Sequence, residues 1–130
     1  MCGIVGFTGH QSAKNILIEG LRRLEYRGYD SAGIALQNAT NEELTVVHRV
    51  GKVAGLAEAV EYLDNASPCG IGHTRWATHG APSERNAHPH TSCDNKIAVV
   101  HNGIIENFAE LREQLEARGH KFRSDTDTEV

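Results

Sequence analysis

Apolar residues recur at two spacings along this chain, and the switches between them outline its elements. Ile4, Val5 and Phe7 form a short apolar run that predicts a buried strand starting beside the second residue. Ile16, Leu17, Leu21 and Leu24 then fall on one helical face, with Ser12 placed to cap the helix and Arg27-Gly28 to close it. Two strands, Ala32 to Leu36 and Leu44 to Val47, are joined by the polar stretch Asn38 to Glu43 as a hairpin. Val53, Leu56, Ala57, Val60 and Leu63 predict a second amphipathic helix from Lys52 to Leu63, ending at the turn residues Asp64 to Pro68.

Gly70 to Thr74 reads as a short strand, and from Arg75 to Asn95 the periodicity stops. That stretch, with Pro82, Pro89, His79, His88 and His90, predicts a loop of about twenty residues, a length that in compact domains tends to be functional. Ile97 to His101 predicts a buried strand turned by Asn102-Gly103. Asn107 with Glu110 predicts a capping box for a third helix, with Phe108, Leu111 and Leu115 on one face and Gly119 at the C′ position. Lys121 to Arg123 begins another strand, and the stop at Val130 reads as a truncation. Loose alternation of strands and helices, with hairpins among them, favours an α+β layered domain over a doubly wound sheet.

Length and charge narrow the functional classes. At 130 residues the chain is one domain or a piece of one. Thirteen basic against seventeen acidic residues give a formal charge of −4, with no basic run beyond Arg22-Arg23. This leaves no electrostatic footprint for nucleic acid or an anionic membrane, so a small polar ligand is the expected partner. No membrane span or signal peptide is visible, and Cys2, Cys69 and Cys93 form no disulfide framework, which together predict a cytoplasmic protein.

Cys2 stands out chemically because removal of Met1 would leave a thiol and a free α-amine on one residue. A thiol titrates near about 8.5 and an α-amine near about 7.7–8.0, so such a residue carries its own base, as N-terminal threonine nucleophiles do. Asn102-Gly103 at a strand end offers a side-chain amide and a backbone N–H as an oxyanion pair, or else an ordinary tight turn. Arg75 could hold a carboxylate with its guanidinium fork, shielded by Trp76 and aided by the Thr78 hydroxyl; the alternative is a surface arginine stacked on a tryptophan. Asp127 could hold an ammonium group, or be a solvated turn residue. A zinc site from Cys69, His73, His88, His90 and Cys93 is a further alternative, although C-x3-H followed by H-x-H-x2-C matches no familiar pattern. The simpler reading of His88-Pro89-His90 is a rigid loop whose imidazoles bond to backbone or substrate.

Six segments taken in order resemble the glutaminase domain of the glucosamine-6-phosphate synthase family: Met1 to Gly6, Tyr26 to Gly33, His73 to Gly80, Asn86 to His90, His101 to Asn107, and Thr126 to Glu129. The cysteine start and Asn-Gly are shared by all class II glutamine amidotransferases, whereas Tyr-Arg-Gly-Tyr-Asp and His-Thr-Arg-Trp-Ala-Thr-His-Gly are similar to the synthase branch. The amidophosphoribosyltransferase branch is the alternative, and a non-catalytic metal-binding or folding fragment is another. The resemblance implies an N-terminal-nucleophile hydrolase fold, a four-layer α/β/β/α sandwich, with residues 1–130 as the N-terminal portion of a glutaminase domain and the sugar-isomerising domain absent. It implies that Cys2 attacks the side-chain amide of L-glutamine to form a γ-glutamyl thioester, with Asn102 and Gly103 stabilising the oxyanion. Arg75 would bind the substrate carboxylate and Asp127 its ammonium, while Trp76, Thr78, His79 and His88 line a closing loop and Arg27 supports the nucleophile. No cofactor or metal is implied. In the full-length enzyme, expected to be a homo-oligomer, the ammonia would convert fructose 6-phosphate to glucosamine 6-phosphate. Cys69 and Cys93 receive no role.

Overall fold

The computed structural model describes residues 1–63, 66–77 and 81–130. Its main sheet has the order β1-β4-β2-β3, from β1 (Gly3–Thr8), β2 (Ser31–Gln37), β3 (Leu44–Val50) and β4 (Cys69–Arg75), all antiparallel. Helices α1 (Ala13–Leu24) and α2 (Val53–Val60) cover one face. Ala13, Leu17, Leu21, Ile34, Leu36, Val53, Leu56 and Val60 are buried between helices and sheet, with Val5, Phe7 and Val47 packed against them. Each sheet residue in this core shares the period-two face that the pleat directs toward the helices.

The opposite face is mixed: one row is apolar, with Ile71, Ala35 and Val46, and the next, nearer the start of β1, is largely polar, as register dictates. Ile4 pairs with His73, His73 with Gly33, and Gly33 with His48, so one cross-strand row presents two imidazoles on either side of a glycine. A Cβ on Gly33 would stand 2.0 Å from the His88 carbonyl oxygen. The missing side chain therefore lets the backbone of 88–89 lie directly on the sheet. Beyond it, β5 (His90–Thr91) and β6 (Ala98–Val99) make a two-stranded antiparallel sheet, followed by α3 (Phe108–Ala117). These are the α, β, β and α components of the expected sandwich, with the second sheet reduced to two short strands.

Several sequence expectations need correction. The run Ile4 to Phe7 is an edge strand with Ile4 44% exposed, because β4 pairs with it on one side only. The apolar run Ile97 to His101 contributes only Ala98 and Val99 to a strand, and Ile97 is 68% exposed. Part of the expected 75–95 loop is structured, with a 3₁₀ turn at Glu84–Asn86 and then β5. Asn107 precedes α3 without a side-chain capping bond, and Glu110 accepts instead from Gln114, so no capping box forms. Lys121 to Arg123 forms no strand; Arg123 and Ser124 donate their backbone N–H groups to the Glu129 carboxylate. Gly119 does adopt the expected positive φ, 94°, just beyond α3.

Lys14 is a buried lysine whose ammonium caps a different helix. Its Nζ donates to the carbonyls of Val60, Glu61 and Leu63 at 3.1, 3.4 and 2.8 Å, satisfying the C-terminal acceptors of α2. Lys14→Met keeps the stem but orphans those carbonyls, and urea unfolding should report a loss of about 1–3 kcal/mol. An unchanged midpoint would show that water replaces the ammonium at no cost.

Candidate active site

The N-terminal end of β1 and the C-terminal end of β4 lie side by side, and a cavity of about 420 Å3 opens there. Its wall includes Cys2, Arg75, Trp76, His88, Asn102, Gly103 and Asp127. All the described site residues expected from sequence thus converge on one pocket from five separate stretches of chain. Thr78 and His79 lie outside the described residues.

Cys2 sits one residue before β1, and its Sγ accepts from the Trp76 backbone N–H at 3.1 Å. Across the pocket the Asn102 side-chain Nδ2 donates to the Cys2 carbonyl at 3.1 Å. The Asn102 Oδ1 faces His73 Nε2 at 2.8 Å. Met1 lines the rim of the same cavity: its ammonium donates to the Arg27 carbonyl at 2.7 Å and its sulfur accepts from Arg27 Nη2 at 3.3 Å. Removing Met1 would release both Arg27 groups and leave the Cys2 nitrogen as a free α-amine.

Charge in the pocket is arranged in two signs. Arg75 follows His73 by two positions on the face of β4 turned away from the helices, is only 3% exposed, and donates to the Ala81 carbonyl at 3.3 Å. Asp127 is equally enclosed, with Oδ2 accepting from the Ile105 backbone N–H at 2.6 Å. The readings of Arg75 as a surface residue and Asp127 as a solvated turn residue are therefore corrected. The segment Ser124 to Thr128 is instead a buried polar knot, and only Asp125, paired with Arg85 at 2.7 Å, faces solvent.

Motif residues without chemistry of their own hold this arrangement. Gly28 has φ 114° and lies under the Trp76 ring, where a Cβ would approach to 2.9 Å. Asp30 accepts from the Ala77 backbone N–H and donates its own N–H to the Arg75 carbonyl at 2.7 Å, fixing the chain that carries Trp76. Buried Asn86 donates to the Ala81 carbonyl at 2.9 Å and accepts from the Asp125 N–H at 2.8 Å. Sequence reasoning saw Asp30 and Asn86 only as parts of motifs, and Gly28 beyond its motif only as the close of a helix, because their work is done across the fold.

Behind the pocket lies a column of imidazoles. His73 and His88 stack at 4.3 Å between centroids, and His90 follows at 4.5 Å. Burial drives the pKa of His73 down to about 4, and the Arg75 charge adds to this while the Asn102 bond opposes it. Burial pushes His88 down to about 2, reinforced by the neighbouring His73, His90 and Arg75. His90, likewise desolvated, falls to about 4. These rings are neutral at pH 7. His88 accepts the His101 N–H at 3.4 Å, so it shapes the wall by packing and backbone bonding.

The zinc alternative finds no geometric support: among the described residues no group of three His, Cys, Asp or Glu side chains is arranged to hold a metal ion. Cys93 stands instead 3.6 Å from His120, far along the chain from His73. No helix among the described residues is long and apolar enough to cross a membrane.

An antiparallel α/β/β/α arrangement with a cysteine at the leading strand and an Asn-Gly corner facing it defines an N-terminal-nucleophile fold. Solved structures agree. A glutamine phosphoribosylpyrophosphate amidotransferase from B. subtilis superposes with TM-score 0.78 at 32% identity, covering 99% of this chain and 28% of that one. A structure described as the allosteric regulatory enzyme of purine biosynthesis gives 0.80 at 32%, with the same coverages.

The chain belongs to the glutamine amidotransferase domain family, whose model matches residues 54–130. Relatives named glutamine–fructose-6-phosphate aminotransferase [isomerizing] are 64% identical in Thermus thermophilus, 62% in Thermosynechococcus vestitus and 56% in Pyrococcus horikoshii, each over all 130 residues. The chain spans about a fifth of the length of these relatives, 20–21%.

Proposed function

We propose that residues 1–130 are the N-terminal portion of a glutaminase domain that hydrolyses L-glutamine to glutamate and ammonia, with Cys2 as nucleophile. The observation that carries this reading is the direct link between Cys2 and the Asn102 amide, with Arg75 and Asp127 in the same cavity. Free glutamine carries one carboxylate and one ammonium, and a pocket with one buried cation and one buried anion complements that pair.

With Met1 gone, the α-amine takes the thiol proton and Sγ attacks the γ-carboxamide carbon. The tetrahedral oxyanion forms beside the Asn102 amide and the Gly103 N–H, the proton passes to the departing nitrogen, and ammonia leaves. Water then adds to the γ-glutamyl thioester and the sulfur departs, completing glutamine plus water to glutamate plus ammonia. Trp76, seated on Gly28, covers one side of the bound glutamine. In the whole protein the ammonia would pass to fructose 6-phosphate to give glucosamine 6-phosphate. The names and high identities of the relatives support this acceptor over the phosphoribosyl branch.

The test is glutamine hydrolysis by the full-length protein, together with labelling by 6-diazo-5-oxo-L-norleucine, which should appear by peptide mass at Cys2. Labelling elsewhere, or no glutaminase activity in protein lacking Met1, would overturn the reading. Arg75→Lys keeps the charge but loses the fork, so KM for glutamine should rise at least about tenfold with kcat less affected. An unchanged KM would remove Arg75 from carboxylate binding.

A further inference from the structure

We propose that His73 is a positioning residue that selects the catalytically competent one of the two flip states of the Asn102 amide. This rests on the glutaminase reading above and adds a residue to it.

The chemistry of donors and acceptors forces the assignment. Asn102 Oδ1 can only accept, so the His73 Nε2 that meets it at 2.8 Å carries the proton. Its other nitrogen, Nδ1, is buried without a hydrogen-bond partner, which fits a neutral ring with an unprotonated Nδ1. The opposite edge of the same amide donates Nδ2 to the Cys2 carbonyl at 3.1 Å. Rotating the amide by half a turn would set oxygen against the Cys2 carbonyl, and would either set NH2 against the His73 N–H or force that proton onto Nδ1, which is buried with no hydrogen-bond partner to receive it. The retained state keeps the amide hydrogens on the nucleophile's side of the pocket, where negative charge develops. The flipped state would put a lone pair there.

The His73 ring is itself fixed. It is 1% exposed on the face of β4 turned away from the helices, it stacks on His88, and the glycine beside it in the cross-strand row admits the backbone that carries His88. The groups facing it are Arg75 on its own strand, His88 and His90 from the 88–90 segment, Asp30 at the start of β2, and the His101 backbone with Asn102. Burial and the Arg75 charge keep the ring neutral against the pull of Asp30 and the two acceptors.

The experiment is a double-mutant cycle in the full-length enzyme with Met1 removed. His73→Leu should lower the kcat of glutamine hydrolysis about 10–100-fold, less than the loss of an oxyanion donor itself, with KM within about threefold. His73→Gln, whose Nε2 can replace the ring donor, should recover most of that loss. In an Asn102→Ala background His73→Leu should change kcat less than about threefold, because no amide remains to be oriented. Equal losses in both backgrounds, or His73→Gln as poor as His73→Leu in protein of normal melting temperature, would overturn the proposal. Should the leucine variant not fold, 15N NMR of the imidazoles in unaltered protein decides, since a His73 ring protonated at Nδ1 excludes the bond. If Cys2→Ala retained full activity the glutaminase reading would fail, while the NMR result on His73 would still stand by itself.

Discussion

Cys2→Ala should lower glutamine hydrolysis by at least about 10⁴-fold while leaving the melting temperature within a degree or two. The loss is large because among the described residues no second cysteine lines the pocket: Cys69 lies at the start of β4, and Cys93 is exposed. The stability cost is small because the Cys2 side chain makes only two main-chain contacts, both with Trp76. Cys2→Ser should fail nearly as badly, since a hydroxyl is far less acidic than a thiol and the α-amine is a weak base for it. The same logic binds activity to processing. While Met1 is attached, the nitrogen of Cys2 is an amide and cannot accept a proton, and Met1 itself stands on the wall of the cavity, bonded to Arg27. Across preparations, turnover should scale with the fraction of chains lacking Met1 by intact mass. Full turnover in Cys2→Ala, or in protein retaining Met1, would remove the N-terminal cysteine from the mechanism.

Acid should unfold this protein well above the carboxylate range. His73, His88 and His90 have folded pKa values of about 4, 2 and 4, all lowered first by burial, against about 6.5 in the unfolded chain. Above pH 6.5 the rings are neutral in both states, so they add no pH dependence. Below 6.5 the unfolded chain binds protons that the folded chain refuses, and stability falls with pH, through His73 and His90 down to about 4 and through His88 further, to about 2. Each ring contributes a slope of up to about 1.4 kcal/mol per pH unit, and three together rival the 5–15 kcal/mol that holds a typical domain. Chemical denaturation at pH 7.5, 6.5, 5.5 and 4.5 should therefore show a plateau and then a steep decline. His90→Gln, which can still bond Thr126 through its amide, should remove about a quarter to a third of the slope, because His48 is also lowered by burial and adds to it. A decline confined to pH below about 4, or a slope indifferent to His90→Gln, would mean that the column does not set acid stability.

Helices α1 and α2 could be read from the chain because each buries one face against the main sheet. Leu17 and Leu21 on α1, and Leu56 and Val60 on α2, fall where the helical period places them. Where the chain packs by polar contacts, apolar periodicity misleads. Ile97 and Val99 look like core yet stand exposed, while His73, Asn86, Thr126 and Asp127 look like surface and are nearly inaccessible. The capping box at Asn107 failed for a related reason, because the Glu110 carboxylate has Gln114 within reach one turn on.

The composition of the site was legible before any coordinates: a cysteine placed to become the first residue, an Asn-Gly corner, an arginine after a strand and an acid near the end. Such residue types follow from the chemistry of amide hydrolysis, which needs a nucleophile, an oxyanion cradle and a clamp for each charge on the substrate. What only the tertiary structure decided was how those groups are held: the row of His73, Gly33 and His48 across the sheet, the backbone seated on Gly33, and the buried bonds that orient Asn102 and Asp127. Strand register and the pairing of buried polar atoms join residues from 22 to 100 positions apart, and no local pattern of side chains encodes such distances.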